Sequence, residues 1–249
     1  MSNSLNDRLS AYADIAAELS VDAVALVPGP NFTRVVDHAF MSHERPFVLV
    51  IPARGPAAAL VPNLELGSWD LVGFDGAVFD WRDQTGYDDA FAALTEHLNI
   101  TSLAVEGQVM RVFVHHALKK AQPDLRIIDA EREISAPRMI KTEAEVAALQ
   151  EAINISERAL RATLDSVKLG QTEKEIEQKL VQMVFAEGAD DLSFAPIVAA
   201  GDGSARPHAK ARENYRVKAG DALLIDFGAR KNGFAADITR TVFLGHVSD

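Results

Sequence analysis

The sequence contains no cysteine among its 249 residues. Disulfide bonds, thiolate metal ligands and a cysteine nucleophile are therefore excluded. A metal site in this chain would have to use carboxylates, histidine and water. That donor set suits manganese, magnesium or calcium, or a carboxylate-rich zinc or cobalt site.

Positive charge is also scarce, with 25 Lys and Arg against 36 Asp and Glu and a formal net charge of −11. This balance argues against nucleic-acid binding, because affinity for phosphate backbones comes mainly from Lys and Arg. No apolar run approaches the roughly 18 residues that span a membrane. The N-terminal stretch MSNSLNDRLSAYADIAAELS lacks the apolar core of a signal peptide. We expect a cytoplasmic protein that binds neither nucleic acid nor membrane.

Up to about residue 130, predicted helices alternate with short apolar strands. The strands are rich in Val, Ile and Leu and are predicted at 23–27, 47–51, 102–106 and 125–128. Helices are predicted at 88–98 and 109–121, and the early PGPN is interpreted as a turn. The stretch contains no glycine-rich phosphate loop. This alternation predicts an α/β domain with a mixed or parallel sheet.

The pattern changes after residue 132, which predicts domains at 1–132 and 133–249. Thr142 with Glu145, and Thr172 with Glu175, have the spacing of helix capping boxes. The glutamates of these two helices are predicted to lie on exposed faces. Strands are then predicted at 193–200, 221–227 and 234–244. Two helices followed by an antiparallel meander predict an α+β domain.

Two aspartates interrupt the apolar stretch LLIDFGARKNGFAADITRT. Asp226 and Asp237 stand on either side of the turn signal Asn232-Gly233. A four-residue loop would place them directly opposite each other, because side chains alternate faces along a strand. A two-residue loop would pair Asp226 with Thr239 and leave Asp237 as its diagonal neighbour on the same face. In a third register, the loop changes which residues face each side of the sheet, and one bulge would be needed to restore the alternation.

Two carboxylates close together in a sheet are costly unless a cation lies between them, so a divalent metal is the simplest explanation. The apolar neighbours ALLI and GFAA favour a buried functional pair. The alternative is that one or both aspartates face solvent at the ends of a hairpin. The triplet DFG does not indicate a kinase, since the other kinase motifs do not precede it.

The stretch GDALLIDFGARKNGFAADITRTVFLG resembles the first metal-binding hairpin of the creatinase, prolidase and aminopeptidase P group, the pita-bread metallopeptidases. Three upstream segments match that group in order: PRMIKTEAEVAALQEA, GQTEKEIEQKL and SFAPIVAAGDGSARPH. The resemblance covers roughly 137–245. Residues 1–130 fit the group's smaller N-terminal domain by pattern alone. The implied fold is an α/β N-terminal domain followed by the first half of an α+β pita-bread catalytic domain.

The resemblance implies a role for each matching residue. Asp226 and Asp237 correspond to the first two ligands of a centre with two divalent metal ions. Manganese is the expected metal, with cobalt or zinc as alternatives. His208 corresponds to the histidine that contacts the substrate and stabilises the tetrahedral intermediate. Without the resemblance, it would be interpreted as a loop histidine beside Pro207 without a role. Thr239 is expected to orient a ligand carboxylate.

The implied activity is that of an Xaa-Pro aminopeptidase or dipeptidase, a hydrolase acting on proline-containing peptides, and a homodimer is expected. Both aspartates argue against creatinase, which works without metal, and the N-terminal domain argues against methionine aminopeptidase. The group's remaining ligands, one His and two Glu, follow the hairpin in relatives and are absent up to Asp249. We therefore expect the N-terminal portion of a peptidase that is inactive alone. The alternative is a non-catalytic pita-bread protein with a binding or regulatory role.

Overall fold

The computed structural model describes residues 4–41 and 44–245. The chain divides into two compact units, Met1–Ile140 and Lys141–Asp249. The division falls after the helix Glu131–Met139, whereas the sequence pattern placed it at 132/133. The helix belongs to the first unit because its Ile134 is fully buried in that unit's core.

The first unit contains helices on both sides of one sheet. Its helices are α1 (Leu5–Glu18), α2 (Pro30–Val36), α3 (Leu66–Asp70), α4 (Asp88–Leu98), α5 (Val112–Ala121) and α6 (Glu131–Met139). Its strands are β1 (Ala23–Leu26), β2 (Val48–Pro52), β3 (Ala58–Pro62), β4 (Ala77–Trp81), β5 (Ser102–Val105) and β6 (Arg126–Asp129).

The six strands form one mixed sheet in the order β4-β3-β2-β1-β5-β6. Strand β2 is antiparallel to both β1 and β3, while the pairs β3–β4, β1–β5 and β5–β6 are parallel. The predicted α/β domain with a mixed sheet is confirmed. The sequence pattern missed β3 and β4, and it interpreted as a turn the segment where α2 begins, with Pro30 at its first position. Proline suits that position because the first helical N–H needs no partner within the helix.

Successive residues of the central strands enter two different cores. On β1, Val24 and Leu26 belong to one buried cluster, and Ala23 and Ala25 belong to the other. Side chains alternate faces along a strand, so this sheet is buried on both faces. That explains why its strands appear in the sequence as continuous apolar runs.

The second unit begins with two long helices, α7 (Glu143–Ser166) and α8 (Glu173–Ala186). Both predicted capping boxes form. Thr142 accepts a hydrogen bond from the Glu145 N–H and donates its own N–H to that carboxylate, and Thr172 does the same with Glu175. The strands that follow are β7 (Asp191–Leu192), β8 (Ile197–Ala200), β9 (Ala222–Phe227), β10 (Ala229–Lys231), β11 (Phe234–Ala235) and β12 (Ile238–Phe243).

These strands form two antiparallel sheets of three strands, ordered β11-β10-β7 and β12-β9-β8. The predicted α+β character is confirmed, although the predicted strand 234–244 is divided at 236–237. One face of the second sheet is buried against both helices, since Leu223, Ile225 and Phe227 share a core with Ile155 and Leu180. Among residues 4–41 and 44–245, none of the helices combines the length and the hydropathy that a membrane span requires.

Candidate active site

The hairpin that carries the two aspartates closes with a two-residue turn. Asn232 and Gly233 have φ values of 50° and 80°, between the paired residues Lys231 and Phe234. Two successive positive φ values are typical of a type I′ turn, for which Asn-Gly is the favoured sequence. Asp190 supports the turn, because its carboxylate accepts hydrogen bonds from the Asn232 N–H at 2.8 Å and from the Lys231 ammonium at 2.7 Å.

This turn selects one of the three registers allowed by the sequence. Asp226 on β9 pairs with Thr239 on β12, and Phe227 pairs with Ile238. Asp237, directly before β12, is therefore the diagonal neighbour of Asp226 on the same face. Asp226 is half-buried and Asp237 is exposed. The prediction that both aspartates are buried is wrong, because the face that they share is more open than their apolar neighbours suggested.

Gly228 allows the two strands to approach closely between the aspartates. A Cβ atom at this position would lie 1.7 Å from the Ala236 carbonyl oxygen. Two serines anchor the next residue, Ala229: its N–H donates to Ser156 Oγ at 2.9 Å, and its carbonyl accepts from Ser193 Oγ at 3.0 Å. The spacing of Asp226 and Asp237 is thus held by backbone contacts as well as by the strand ladder.

The two carboxylates have the chemistry of metal ligands. Oxygen donors on one face suit a hard divalent cation, and the Thr239 hydroxyl group lies beside Asp226 in the register. In residues 4–41 and 44–245, no group of three or more His, Cys, Asp or Glu side chains is placed to hold a metal ion. The donors present therefore fit part of a coordination sphere, with the remaining positions left to water or other groups.

His208 lies in the long connection between β8 and β9, outside the hairpin. The connection begins as a 3-10 helix, Gly201–Ala205, and turns at Pro207 and His208. It leaves β8 at Ala200, about 10 Å along the strand from Ile197, the residue paired with Asp226 (three residues at roughly 3.3 Å). No hydrogen bond or ion pair in the described structure joins His208 to either aspartate.

His208 is exposed and has a φ of 55°. Proline followed by a residue with positive φ is typical of a type II turn, which usually has glycine or asparagine at that position. A non-glycine residue in the left-handed region costs about 1 kcal/mol or more, and such strain is concentrated at functional sites. The surrounding turn must hold this conformation, and the role of His208 stays a prediction.

Glu173, the first residue of α8, is a further residue of this region that the sequence pattern did not indicate. The prediction that the helix glutamates lie on exposed faces is wrong here, since Glu173 is 0% exposed. The Glu173 carboxylate is paired with Arg212, in the same connection that carries His208. Both Glu173 and Glu175 stand in the first turn of the helix. No local pattern distinguishes the buried one, because its partner is 39 residues away.

Comparison with known proteins identifies both units. Residues 8–140 match the Creatinase/Prolidase N-terminal domain, and residues 147–249 match Metallopeptidase family M24. A relative, the Xaa-Pro dipeptidase of Pyrococcus horikoshii, is 27% identical over 244 residues. The alignment covers 97% of this chain and 65% of that protein. The chain thus spans slightly less than two thirds of the length of this relative.

Solved structures show the same similarity. A prolidase from Thermococcus sibiricus matches with a TM-score of 0.89 and 28% identity, covering 99% of this chain and 67% of that one. An Xaa-Pro dipeptidase from Bacillus anthracis matches with a TM-score of 0.85 and 25% identity, covering 98% and 66%. The architecture of both units is therefore found in proteins of known structure.

Proposed function

The chain belongs to metallopeptidase family M24, in the group with a creatinase/prolidase N-terminal domain, and on this premise we propose that it is part of an Xaa-Pro peptidase. The reaction is hydrolysis of the bond between an N-terminal residue and proline, in a dipeptide or a longer peptide. Relatives named Xaa-Pro dipeptidase and prolidase support this substrate class.

The register of the hairpin is the observation that carries the proposal. It places Asp226 and Asp237 as diagonal neighbours on one face, with Thr239 directly opposite Asp226. Two like charges placed together gain most from a shared divalent cation. The proposal assigns both carboxylates to the metal centre and assigns Thr239 to the orientation of the Asp226 carboxylate.

The chemistry divides between the metal centre and the chain's own residues. Two divalent ions, when bound, supply a water of lowered pKa and polarise the scissile carbonyl group. Asp226 and Asp237, on one face of the hairpin, would hold that centre. His208 donates a hydrogen bond to the oxygen on which negative charge develops during hydrolysis. Its exposure leaves the imidazole accessible to a peptide.

Several further assignments belong to the same proposal. The centre takes manganese, with cobalt or zinc as alternatives. Groups other than the two aspartates supply the further ligands of the centre, since residues 4–41 and 44–245 contain no cluster of three or more such side chains. The homodimer and the cytoplasmic location stay predictions.

Manganese binding tests the metal assignment directly. Two carboxylates and water should bind Mn²⁺ weakly, with a dissociation constant on the order of 0.1–1 mM. Asp226→Asn and Asp237→Asn should each weaken binding at least about tenfold in titrations followed by electron paramagnetic resonance. Asp165→Asn is the matched control, because Asp165 is an exposed carboxylate on α7 of the same unit. Equal binding by all four proteins would refute the metal site.

A binding or regulatory protein is the second candidate, favoured by one observation. The described residues provide no third side-chain ligand beside the two aspartates. In that case Asp226→Asn and Asp237→Asn would leave partner binding unchanged and would raise stability by removing charge repulsion. Under the peptidase proposal, the same substitutions in the intact enzyme abolish hydrolysis of an Xaa-Pro dipeptide.

The intact mass of the protein from its native source separates these two candidates. A mass well above 27.0 kDa, together with Xaa-Pro hydrolysis, supports the peptidase. A mass of 27.0 kDa without hydrolysis would overturn the peptidase proposal in favour of the binding protein.

A further inference from the structure

Glu173 joins both ends of the segment that carries His208. Its Oε1 accepts the Ala200 N–H at 2.7 Å, at the end of β8. Its Oε2 accepts the Arg212 N–H at 2.8 Å, twelve residues further along. A single buried carboxylate therefore holds the chain on the two sides of the His208 turn. Loss of either hydrogen bond would leave a buried carboxylate oxygen without a donor, which lowers the stability of the folded chain.

Arg212 completes this arrangement with its side chain. Its guanidinium donates to both oxygens of Glu173, from Nε at 2.9 Å and from Nη2 at 2.7 Å. Nη2 also donates to the Ala200 carbonyl at 2.9 Å, and Nη1 donates to Asp202 Oδ1 at 3.0 Å. This paired, planar geometry is specific to arginine, since lysine has no fork of donors.

Tyr215 and two glycines enclose the ion pair. The Arg212 guanidinium lies 4.0 Å from the centre of the Tyr215 ring, and the Tyr215 hydroxyl group donates to Asp221 at 3.0 Å. A Cβ atom at Gly201 would lie 2.3 Å from the Tyr215 hydroxyl oxygen, and one at Gly203 would lie 2.8 Å from Arg212 Nη2. The backbone is packed tightly around the ion pair, so the segment cannot shift without breaking it.

The start of α8 provides a further attachment. The N–H groups of Glu173 and Lys174 donate to the carbonyls of Tyr215 and Arg212, at 3.4 and 3.3 Å. These first-turn N–H groups have no partner within their own helix. The β8–β9 connection thus accepts hydrogen bonds from the first turn of α8, and these bonds also hold the connection against the helix.

His208 itself takes no part in these contacts. It stands between the anchored residues Ala200 and Arg212, exposed and with a positive φ. A strained residue persists only when its surroundings determine its conformation. The attachments at Ala200 and Arg212 restrict the chain on both sides of this residue.

We propose that Glu173 and Arg212 form a clasp that positions His208 for its contact with the substrate. This inference rests on the proposed function, because the role of His208 does. The clasp residues are positioning residues, since they touch the loop rather than the reacting atoms. Opening the clasp should release the His208 turn without disturbing the aspartate hairpin, which is held by Gly228, Ser156 and Ser193.

The experiment uses Mn²⁺ as a paramagnetic probe in solution NMR of the 249-residue chain. Mn²⁺ at the aspartates broadens nearby signals, so the loss of intensity of the His208 imidazole signal reports its distance from them. The variants are Arg212→Met, which removes the clasp, and Arg212→Lys, which keeps the charge. Arg206→Met is the matched control, because Arg206 makes an exposed ion pair with Asp202 in the same segment.

Arg212→Met should reduce the Mn²⁺ broadening of His208 several-fold, with broadening on β9 and β12 unchanged. Hydrogen exchange at the Ala200 and Arg212 amides should accelerate at least about tenfold, while exchange in β9 stays constant. Arg212→Lys should give an intermediate result, and Arg206→Met should match the unmodified chain.

The remaining outcomes distinguish the clasp proposal from the metal-site proposal. Broadening of β9 and β12, with the same His208 broadening in every variant, would overturn the clasp and leave the metal site standing. No broadening in any protein would overturn the metal site, and hydrogen exchange would still decide the clasp. Global unfolding of Arg212→Lys would also overturn the clasp, because it would show that the ion pair maintains the whole unit.

Discussion

The two main sheets of this chain differ in how many of their faces are covered. In the first unit, neighbouring residues of β1 enter separate buried cores on opposite faces. In the second unit, β9 alternates between buried Leu223, Ile225 and Phe227 and half-buried Ala222, Leu224 and Asp226. A carboxylate in a doubly buried strand would lose its hydration on either face. The open face of β9 is therefore where this fold can hold an aspartate in the middle of a strand.

Truncating adjacent leucines gives the largest expected contrast between the sheets. Leu223→Ala removes a fully buried side chain and should cost about 2–5 kcal/mol, whereas Leu224→Ala on the open face should cost about 1 kcal/mol. On β2, Leu49→Ala and Val50→Ala should both be costly, at about 2 kcal/mol or more, because both faces are buried. Urea unfolding measures the loss in free energy of unfolding for each of the four variants. Equal costs at Leu223 and Leu224 would contradict the comparison.

Substituting Gly228 tests how the open sheet holds its aspartates. Gly228→Ala places a methyl group against the Ala236 carbonyl and should cost about 1–3 kcal/mol, with weaker Mn²⁺ binding as the hairpin shifts. Gly233→Ala is the control, because a Cβ atom there would point into open space, with no neighbour within 4 Å. Its positive φ alone should cost about 1 kcal/mol, with Mn²⁺ binding unchanged. Unchanged Mn²⁺ binding in Gly228→Ala would show that the close approach of the two strands at Gly228 does not determine how the aspartates bind the metal.

Two buried glutamates, one in each unit, should contribute to stability in opposite directions as the pH falls. Burial of Glu106 in the first unit raises its pKa, although a hydrogen bond from Asn31 opposes the shift. Burial of Glu173 opposes ionisation, but hydrogen bonds from Arg212 and from backbone N–H groups outweigh it, so the pKa of Glu173 is lowered. The Glu106 contribution to stability is therefore present at low pH and is lost as the pH rises through its raised pKa. The Glu173 contribution is present above its unfolded pKa and is lost as the pH falls through its lowered pKa.

The pH dependence of stability can be measured separately in each unit. Both tryptophans, Trp69 and Trp81, lie in the first unit, so their fluorescence follows its unfolding alone. Hydrogen exchange in β9 follows the second unit. Glu106→Gln should flatten the pH dependence of the first unit and Glu173→Gln that of the second. A pH dependence that neither substitution changes would contradict the assignment.

The smallest expected effect is a gain of stability at His208. Asparagine adopts a positive φ more readily than most residues, so His208→Asn should be neutral or stabilising by less than about 1 kcal/mol. The same substitution removes the imidazole that the proposed reaction uses. A loss of stability of several kcal/mol would instead assign His208 a structural role.

Local signals in the sequence predicted local structure well. The capping residues Thr142 and Thr172 identified the starts of α7 and α8, because each contact lies within one turn. The Asn-Gly turn left three registers open, and the type I′ geometry selects the two-residue loop. The exposure of Asp237 and the burial of Glu173 could not be predicted, because they depend on which faces are covered and on partners distant in the chain.

The anchoring of the aspartate hairpin has a practical consequence at its tip. Asn232 and Gly233 are exposed, while the strand register beneath them is held by Gly228 and the two serines. An insertion between Asn232 and Gly233 would break the two-residue turn that sets the register, so a label belongs beside the turn and not within it. Because the sequence contains no cysteine, a single cysteine introduced at the exposed Ala235 could carry a fluorescent label. It would mark the site in the intact protein and leave the spacing of the carboxylates as it is.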